Sequence, residues 1–550
     1  MSGGLIALVS FGNENVAING NPQMTYFYKA FVRHTHFSIE PIQIPLDGPQ
    51  QLNLDAPILL KARIPREGDL LADLVLRMDV PEIYSKAYIA YDLSGNPALT
   101  QTPQEWQWIR QLGVRIIDRI TFLVGGAKIQ EFTADWIAAR AMLDMDQTQY
   151  QKWRTMIGDV PELFDPANGI YADPAGGYPN VVAWTGQAVQ TNAPSIPARR
   201  LRIPLGLWFS DGIQNALPLV ALQSHYAEIQ IQLRPLRDLY TIRDPSGVRL
   251  RYGYRSQTYL PTDQYTRVWN PALLGPLPTT LNNLYGSYSD PTGAPRYFYT
   301  DISGAIPSSD GWPMNISLEG SFVFLTDAER QVFATKPLSY MVRQVQPFQF
   351  PGVIGKSRFE VDVHNMSTRA VWFARRSDAI PFRNAYTNLT NWIFPTGVDR
   401  PYPIPLSGYP SIVGVGRSGL QLAGLQRRIL RGATFIANGT PLFATEDAEY
   451  FNQYVPYRYL KGDTMPSENF GLASQFEMSP LHVLSFALDG SDALQPSGTL
   501  NTSRIDKLQF EFDVEPIPTG ALYTYNVALF METLNFLELS SGMGGLKFAL

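Results

Sequence analysis

The chain contains the segment Thr121-Phe122-Leu123-Val124-Gly125-Gly126-Ala127-Lys128-Ile129, and its second half contains the similar segment Thr434-Phe435-Ile436-Ala437-Asn438-Gly439-Thr440-Pro441-Leu442. In each segment a Gly-Gly or Asn-Gly pair separates two mostly apolar runs, and such pairs are strong signals of a two-residue β-hairpin turn. The same hairpin is therefore predicted twice in one chain.

A second pair of similar segments follows the first pair in the same order. Asp211-Gly212 is followed by Glu-Ile-Gln-Ile-Gln-Leu at residues 228–233, as Asp489-Gly490 is followed by Lys-Leu-Gln-Phe-Glu-Phe at residues 507–512. Repetition at this scale indicates duplication of a structural unit. The sequence predicts two copies of one β domain, joined near a short helix at residues 327–333, with longer loops in the first copy.

Alternation of apolar and polar residues is the main periodic pattern, and it is typical of strands that bury one face. It is clearest at residues 229–233, 316–324, 359–363 and 508–514. Together with the repeated hairpins, this pattern predicts an all-β protein.

Two helices are predicted. One runs from Asp135, a suitable N-cap residue, to Met156. The other begins at Thr326, where Glu329 completes a capping-box spacing, and Pro337 limits it to about two turns.

Three long stretches rich in Pro, Gly, Tyr and Asn are predicted to be loops: residues 160–199, 241–313 and 381–424. Loops of this length are usually functional or disordered. Their many Tyr and Trp residues favour ordered loops that contact other chains. Packing on their own sandwich is an equally good interpretation.

Composition excludes several classes of function. The chain has 550 residues, which fit two large β domains as well as three or four average ones, and a net charge of −5, which disfavours a dedicated nucleic-acid binder. It has no cysteine, so disulfides, thiolate nucleophiles and cysteine-ligated zinc are excluded. Charged residues make up only 17% and aromatic residues 12%, which indicates surface buried against partners. Neither a transmembrane segment nor a signal peptide is predicted.

Two glycine-containing motifs superficially match phosphate-binding loops. Residues 414–419 match the dinucleotide fingerprint, but they lie in a Pro-rich loop rather than between a strand and a helix. Gly355-Lys356-Ser357 resembles the end of a Walker loop, yet Phe350 stands where the first glycine is required. Both are interpreted as chance matches, and no cofactor is predicted.

Possible metal and catalytic residues are equally few. His34 and His36 would share one face of a strand, as two metal ligands can, but nothing nearby supplies a third ligand. Glu446, Asp447 and Glu449 could be considered as a glycosidase acid pair, although neighbouring carboxylates after a hairpin are usually a solvated surface or a helix start. We therefore predict no catalytic, cofactor-binding or metal-binding residues.

Five N-x-[ST] sequons occur, at Asn315, Asn365, Asn388, Asn438 and Asn501. They matter only if the chain enters a secretory lumen, so the sequence leaves glycosylation open.

Residues 20–29, Gly-Asn-Pro-Gln-Met-Thr-Tyr-Phe-Tyr-Lys, and residues 33–38, Arg-His-Thr-His-Phe-Ser, resemble the opening of the major capsid proteins of nucleo-cytoplasmic large DNA viruses. His36 stands where that family commonly has Asn. Further similar segments follow in family order at residues 118–136, 216–223, 325–330, 486–488, 495–499, 503–506 and 541–546.

The resemblance implies a double jelly roll, two tandem eight-stranded sandwiches with long loops and a few short helices. The predicted organisation is an N-terminal arm (1–25), a first jelly roll (26–326), a helical linker (327–337) and a second jelly roll with a C-terminal tail (338–550). It also implies a structural subunit without catalytic residues. The runner-up function is a jelly-roll glycan-binding or adhesion protein, with a β-sandwich glycosidase third.

The implied partners are other copies of the chain, in a pseudo-hexagonal homotrimer, together with neighbouring capsomers and minor capsid and penton proteins. Contact with an internal membrane would be indirect, and no direct contact with nucleic acid is expected. The implied location is the shell of an icosahedral virion assembled in the host cytoplasm. We further expect the apolar residues 3–11 to lie at the inner base of the capsomer. The 241–313 loop is expected at its outer surface, the alternative being a lateral contact between capsomers.

Overall fold

The fold is described from a computed structural model of the chain. The structure describes residues 3–28, 31–53, 56–83, 87–91, 97–103, 105–168, 178–179, 194–243, 249–250, 312–391, 415–416, 419–420, 428–444, 446–462, 481–492, 494–517 and 523–548.

Eight strands, β1 to β8, form the first sandwich: Phe37–Ile44, Ile58–Arg63, Leu70–Val80, Ile117–Val124, Ala127–Thr133, Arg199–Pro204, Ala227–Leu233 and Ser317–Leu325. One sheet has the order β1-β8-β3-β6, and the other has the order β2-β7-β4-β5. All of these neighbours are antiparallel.

Eight strands, β9 to β16, form the second sandwich: Leu338–Val353, Ser357–Glu360, Met366–Arg376, Leu430–Ala437, Thr440–Pro441, His482–Ser485, Leu508–Val514 and Tyr525–Ser540. Their sheets have the orders β9-β16-β11-β14 and β10-β15-β12-β13. Each sandwich therefore pairs its first, eighth, third and sixth strands in one sheet and its second, seventh, fourth and fifth in the other. This repeated order is that of a jelly roll, so the all-β double jelly roll is confirmed.

A third pair of similar segments accompanies this order. Residues 39–45 read Ile-Glu-Pro-Ile-Gln-Ile-Pro and residues 345–351 read Val-Gln-Pro-Phe-Gln-Phe-Pro. Pro41 pairs with Ser321 of β8 and Pro347 pairs with Phe530 of β16, so the repeat occupies matching places in the two sheets. β1 and β9 therefore correspond residue by residue.

Both predicted hairpins are confirmed. Gly125 and Gly126 connect β4 to β5 with φ of +58° and +83°, and Asn438 and Gly439 connect β12 to β13 with φ of +50° and +83°. Two successive residues with positive φ are what a type I′ turn requires. This requirement explains why glycine or asparagine stands at these four positions.

Nine α-helices lie in the described part of the chain, α1 to α9: Gly3–Val9, Asn13–Asn19, Leu112–Arg115, Ala134–Asp144, Gln147–Met156, Pro161–Phe164, Asp327–Thr335, Ala379–Arg383 and Val455–Tyr459. A π-helical turn, Tyr450–Tyr454, leads into α9. Short 3-10 helices occur at Pro166–Asn168, Trp208–Ser210, Ile213–Asn215, Leu219–Ala221, Leu236–Asp238 and Thr502–Arg504. None of the helices that the structure describes is long and apolar enough to cross a membrane.

The predicted helix from Asp135 to Met156 is wrong in two details. Its N-cap is Thr133, and it is divided into α4 and α5 because Met145 leaves the helix and Asp146 caps α5 by accepting a hydrogen bond from the Gln149 amide. The second predicted helix is confirmed as α7, with Thr326 as N-cap, but the Thr326 side chain makes no capping hydrogen bond.

The other strands are short: Gln51–Leu52, Ala87–Tyr91, Pro97–Pro103, Glu105–Trp108, Leu217–Pro218, Tyr240–Arg243, Arg249–Leu250, Trp312–Pro313, Val415–Gly416, Gly419–Leu420, Glu446–Asp447, Leu500–Asn501 and Met543–Leu546. The predicted loop 241–313 therefore begins with strands, since Tyr240–Arg243 pairs with both Glu105–Trp108 and Arg249–Leu250. Most of the residues in the three predicted loops lie outside the described part of the chain.

Three of the four segments predicted from alternation are strands, namely β7, β8 and β15. At residues 359–363 the prediction is too long, because β10 ends at Glu360. Val361 and Val363 follow it and remain in the core of the second sandwich, 2% and 4% exposed.

The three long connections of the first sandwich, from β3 to β4, from β5 to β6 and from β7 to β8, leave from one end. The end of β3 pairs with the start of β6 through Val80 and Arg199, and Ser317 at the start of β8 lies opposite Arg77. The other end holds Phe37, paired with Leu325, followed by α7. Since α7 leads directly into the start of β9, the two sandwiches stand side by side with the same polarity.

Candidate functional site

The two sandwiches meet where β5, an edge strand of the first, lies beside β9, an edge strand of the second. We call the contact region between the two sandwiches the junction. Gln130 Nε2 donates to the Arg343 carbonyl at 2.7 Å, and Gln344 Nε2 donates to the Ile129 carbonyl at 2.7 Å. Both glutamines are buried. Two strand edges that would otherwise present unpaired backbone groups are thus closed by side chains.

The remaining polar atoms of these glutamines also have partners. Gln130 Oε1 accepts from the Trp208 amide at 3.1 Å. Gln344 Oε1 accepts from Asn535 Nδ2 at 3.0 Å, and Asn535 Oδ1 accepts from the Phe548 amide. Because an unsatisfied buried polar group is costly, these bonds fix how the two edges align along their length.

Six charged side chains, three from each sandwich, form one network beside this edge contact: Arg140, Asp144, Asp211, Arg343, Arg369 and Glu532. Arg369 is fully buried and donates to both carboxylate oxygens of Asp144, at 2.6 and 2.9 Å, and to Glu532. Arg343 pairs with Glu532 at 3.0 Å and with Asp211 at 3.3 Å. Three positive and three negative charges leave no net charge in the junction.

The network holds Asp144 and Arg369 in the charged state. Burial would raise the pKa of Asp144, but the charge of Arg369, followed by those of Arg343 and Arg140, outweighs burial and lowers it. Burial likewise opposes the charge on Arg369, yet Asp144 and Glu532 raise the pKa of its guanidinium above the ordinary value. Asp144 and Arg369 therefore stay ionised at any pH near neutrality.

A second charged cluster joins the start of α4 to the second sandwich. Asp135 pairs with Arg115 of its own sandwich and accepts from Arg375 Nη2 of the other at 3.0 Å. Burial works against the charge of Asp135, but Arg375 and Arg115 hold the pKa of this carboxyl well below its usual range. The next residue of α4, Trp136, packs against Phe530, with ring centroids 5.6 Å apart. Asp135 is thus a junction residue and not the predicted helix cap.

The C-terminal hairpin, formed by the end of β16 and the strand Met543–Leu546, makes a third contact between the sandwiches. Gly544 lies against His225, whose Nδ1 is 3.2 Å from the Gly544 amide, and the Gly542 carbonyl accepts from the Ser224 amide at 2.9 Å. A Cβ at Gly544 would lie 2.7 Å from the Leu539 side chain and 3.0 Å from that of Val124. Glycine is therefore required for this close approach.

The amino-terminal segment, residues 3–36, has the opposite character. Helices α1 and α2 bury no residue. Thirteen large apolar side chains of this segment are more than half exposed: Leu5, Ile6, Leu8, Val9, Phe11, Val16, Ile18, Met24, Tyr26, Phe27, Tyr28, Phe31 and Val32. An exposed apolar surface of this extent marks a contact site.

The structure does not bring the residues considered for metal binding into a site. His34 and His36 are exposed and precede β1, so the strand on which they were expected to share a face does not include them. Within the described residues, no group of three or more His, Cys, Asp or Glu side chains could hold a metal ion.

Residues considered for catalysis, and those considered for phosphate binding, have structural roles. Glu449 pairs with Arg428 at 2.9 Å, and Asp447 accepts from the Tyr450 amide at 3.0 Å, at the start of the π-helical turn. Lys356 lies in a turn before β10 and pairs with Glu511 at 2.8 Å. In the 414–419 motif, Val415–Gly416 pairs with Gly419–Leu420 as a short two-stranded ladder.

The sequons differ in exposure. Asn388 is 3% exposed and its Oδ1 accepts from Thr390, so it is inaccessible in the folded chain. Asn315, Asn438 and Asn501 are exposed, and Asn365 is half-buried.

Sequence analysis missed the junction residues. Arg369 and Glu532 lie within the apolar runs of β11 and β16, and their partners are 225 and 163 positions away along the chain. A lone charged residue inside an apolar strand is the one signal that points to them, because burying a charge requires an opposite charge nearby.

Solved structures with the same architecture include capsid proteins. The quasi-atomic model of the PBCV-1 virus capsid has a TM-score of 0.59 at 19% identity and covers 96% of this chain and 100% of that chain. The Faustovirus major capsid protein has a TM-score of 0.59 at 14% identity and covers 98% and 96%. At these identities the likeness concerns the fold, and it places the chain among the double jelly-roll proteins.

Two family models match the sequence: "Major capsid protein N-terminus" over residues 25–261 and "Large eukaryotic DNA virus major capsid protein" over residues 329–545. "Probable capsid protein 4" of Acanthamoeba polyphaga mimivirus is 22% identical, over 100% of this chain and 99% of that protein. The "Major capsid protein" of Paramecium bursaria Chlorella virus 1 is 24% identical, over 100% of both. The chain belongs to the major capsid protein family of nucleo-cytoplasmic large DNA viruses. It is a structural capsid subunit and not an enzyme, and the glycan-binding alternative is not favoured.

Proposed function

We propose that three copies of the chain form a pseudo-hexagonal capsomer that tiles an icosahedral shell over an internal membrane, assembled in the host cytoplasm. The supporting observation is the repeated jelly roll: each chain carries two similar sandwiches, packed edge to edge with the same polarity. Three such chains supply six similar sandwiches for a closed ring. Rings of this kind use a heterologous interface, in which two different surfaces of one chain meet.

The polarity of the sandwiches suggests how the capsomer stands in the shell. The amino-terminal segment, α7 and the C-terminal hairpin share one end, whereas the long connections leave from the other. We assign the first end to the inner base, where the apolar segment would contact neighbouring capsomers or minor and penton proteins. The 241–313 loop is assigned to the outer surface, since it connects β7 to β8 at the second end.

Sedimentation and imaging of the purified full chain test the capsomer. A permanent interface of about 2,000 Å² or more leaves little free subunit, so we expect a trimer at micromolar concentration and hexagonal arrays in electron micrographs. A well-folded monomer under these conditions would contradict the proposal.

The role of the amino-terminal segment is tested by deleting residues 2–20. These residues make no contribution to either core, so the deletion should leave trimers intact and impair shell assembly. A full-length variant with Leu5, Ile6 and Leu8 replaced by Ser is the matched control for segment length, and it should show the same defect. Normal shells from both variants would show that the segment is dispensable.

Limited proteolysis of particles tests the 241–313 loop, which lies largely outside the described residues. Cleavage at Arg251, Arg255 or Arg267 in intact particles is expected for an outer loop. Protection in particles combined with cleavage in free trimers would place the loop between capsomers instead.

A further inference from the structure

Two edges of the chain correspond to the two edges that meet in the junction, yet they are uncovered. β13 occupies in the second sandwich the place of β5 in the first, and β1 occupies in the first the place of β9 in the second. When the repeats at residues 39–45 and 345–351 are aligned, the two residues before each repeat also correspond, so Phe37 matches Arg343 and Ser38 matches Gln344. The repeated hairpin matches Leu442 to Ile129.

Matching positions differ sharply in burial. Ile129 is 0% exposed in the junction, whereas its counterpart Leu442 is 40% exposed. Arg343 is 7% exposed, whereas its counterpart Phe37 is 45% exposed. Residues that are apolar at an uncovered strand edge indicate an edge that is covered in the assembly.

The charged cluster at Asp135 is also repeated, except for one member. Arg115 and Arg428 each lie six positions before the repeated hairpin segment. Asp135 lies two positions after Thr133, which pairs with Arg119, and Glu449 lies two positions after Asp447, which pairs with the matching residue Gly432. The Arg428–Glu449 ion pair therefore repeats the Arg115–Asp135 ion pair. In the first cluster Arg375 of the other sandwich completes the group. Arg77 of β3 pairs with Ser317 of β8 as Arg375 of β11 pairs with Asn526 of β16, so Arg77 is the counterpart of Arg375. Arg77 belongs to the sandwich that bears the uncovered edge β1.

We propose that β1 and β13 form the contact between neighbouring copies, repeating between chains the contact that β5 and β9 make within one chain. In this contact Ser38 of one copy lies beside Leu442 of the next, and Arg77 joins the Glu449–Arg428 pair of the next copy. The occupant is a second copy because one chain carries both halves of the contact, and a ring of three copies covers both of these edges in every copy. This inference rests on the proposed trimer and specifies its interface.

A disulfide cross-link tests the contact, since the chain has no cysteine of its own. In the full chain carrying both Ser38→Cys and Leu442→Cys, mild oxidation should give covalent trimers on a non-reducing gel. Either substitution alone should give none. The matched control combines Leu442→Cys with Ile354→Cys, a position that is 66% exposed but lies on neither edge, and it should stay uncross-linked.

A second variant tests the charged group. Arg77→Gln should cause loss of the trimer in sedimentation, whereas Arg77→Lys should retain most of it because the positive charge remains. Arg358→Gln, at an exposed arginine of β10 that pairs with Glu511 of β15 and lies at the far edge of the sheet from β13, should leave the trimer unchanged.

The outcomes separate this inference from the proposed function. Trimers that do not cross-link through residues 38 and 442 and that tolerate Arg77→Gln would overturn the assignment of the interface and leave the trimer standing. A monomeric wild-type chain would overturn both. Cross-linked trimers together with loss of trimer in Arg77→Gln would support the interface as assigned.

Discussion

The two sandwiches share one strand order but differ in chemistry at matching positions on one outer sheet face. In the second sandwich, Glu532 pairs across the sheet with Arg369, and both join the junction network. In the first, the corresponding pair is Val323 and Leu70, which pack beneath Phe333 of α7. The same place in the fold is therefore charged in one copy and apolar in the other.

The difference follows from what covers each face. The linker helix α7 covers Leu70 and Val323, and it is held nearby by its direct connection to β8. Helix α4 covers Arg369 and Glu532, but it belongs to the other sandwich and has no such short connection. Apolar contact suffices for burial, whereas ion pairs and hydrogen bonds also fix orientation. We infer that the charged pair sets the angle at which the sandwiches meet.

The largest expected effect comes from replacing only one member of the Arg369–Glu532 pair with an apolar residue. Arg369→Leu leaves Asp144 and Glu532 buried without their main partner, which should lower the free energy of unfolding by about 3–5 kcal/mol. Adding Glu532→Val recreates the Leu70–Val323 pair and removes a buried carboxylate that keeps only Arg343 as a partner, so the double variant should recover part of the loss. Thermal and urea unfolding measure both.

Arg358→Leu serves as the control for removal of an arginine. Arg358 is half exposed, and Glu511 retains Lys356 as a partner, so this variant should unfold close to the wild type. A double variant at positions 369 and 532 that is no more stable than Arg369→Leu alone would show that the two matching positions cannot be exchanged.

An intermediate effect is expected at Asp159, a charged group that serves one sandwich only. Burial raises its pKa, but Arg110 and Arg154 lower it from 3.8 to about 2. Because the pKa of Asp159 is lower in the folded chain than in the unfolded chain, its carboxylate stabilises the fold at pH values above the unfolded pKa. Asp159→Asn should therefore lower the free energy of unfolding by about 2–3 kcal/mol at pH 7. The difference from wild type should shrink below pH 3.8 and vanish as the pH falls through about 2, which urea unfolding across this range would reveal.

The smallest effects concern the second glycine of each hairpin turn, and Gly125 of the first turn serves as their comparison. Gly126 and Gly439 have the same φ of +83° and open space around them, so alanine at either should cost about 1 kcal/mol for backbone strain alone. Gly125→Ala should cost about 1–3 kcal/mol more, because its Cβ would lie 2.3 Å from the His225 ring that contacts Gly544. Equal thermal shifts for all three variants would mean that the C-terminal contact contributes little at this turn.

Local signals account for the part of the fold that could be predicted. The Gly-Gly and Asn-Gly turns, the alternating strands and the Thr326 helix start depend on residues close together in sequence, and each is recognisable there. The repeat at residues 39–45 and 345–351 is equally local, but the sequence analysis missed it. By itself it is enough to identify β1 and β9 as matching strands.

The junction could not be predicted because it depends on distant pairs. Asp135 has the features of a helix cap, yet its carboxylate pairs with Arg375, 240 positions away. Strand Tyr240–Arg243 falls almost wholly within a predicted loop because its pairing with Glu105–Trp108 is likewise non-local. Periodicity identifies which face of a strand is buried but not which element covers it.

The position of β16 governs when the junction can close during synthesis. This strand lies between β9 and β11 and supplies Glu532 and Phe530, although it spans Tyr525–Ser540 near the end of the sequence. A ribosome that adds about 5–20 residues per second needs some tens of seconds to proceed from the end of the first sandwich to β16. During that interval the apolar surface around Ile129 and Trp136 has no cover. The chain can therefore complete its junction only after β16 has been synthesised, and until then it exposes surface that the finished chain buries.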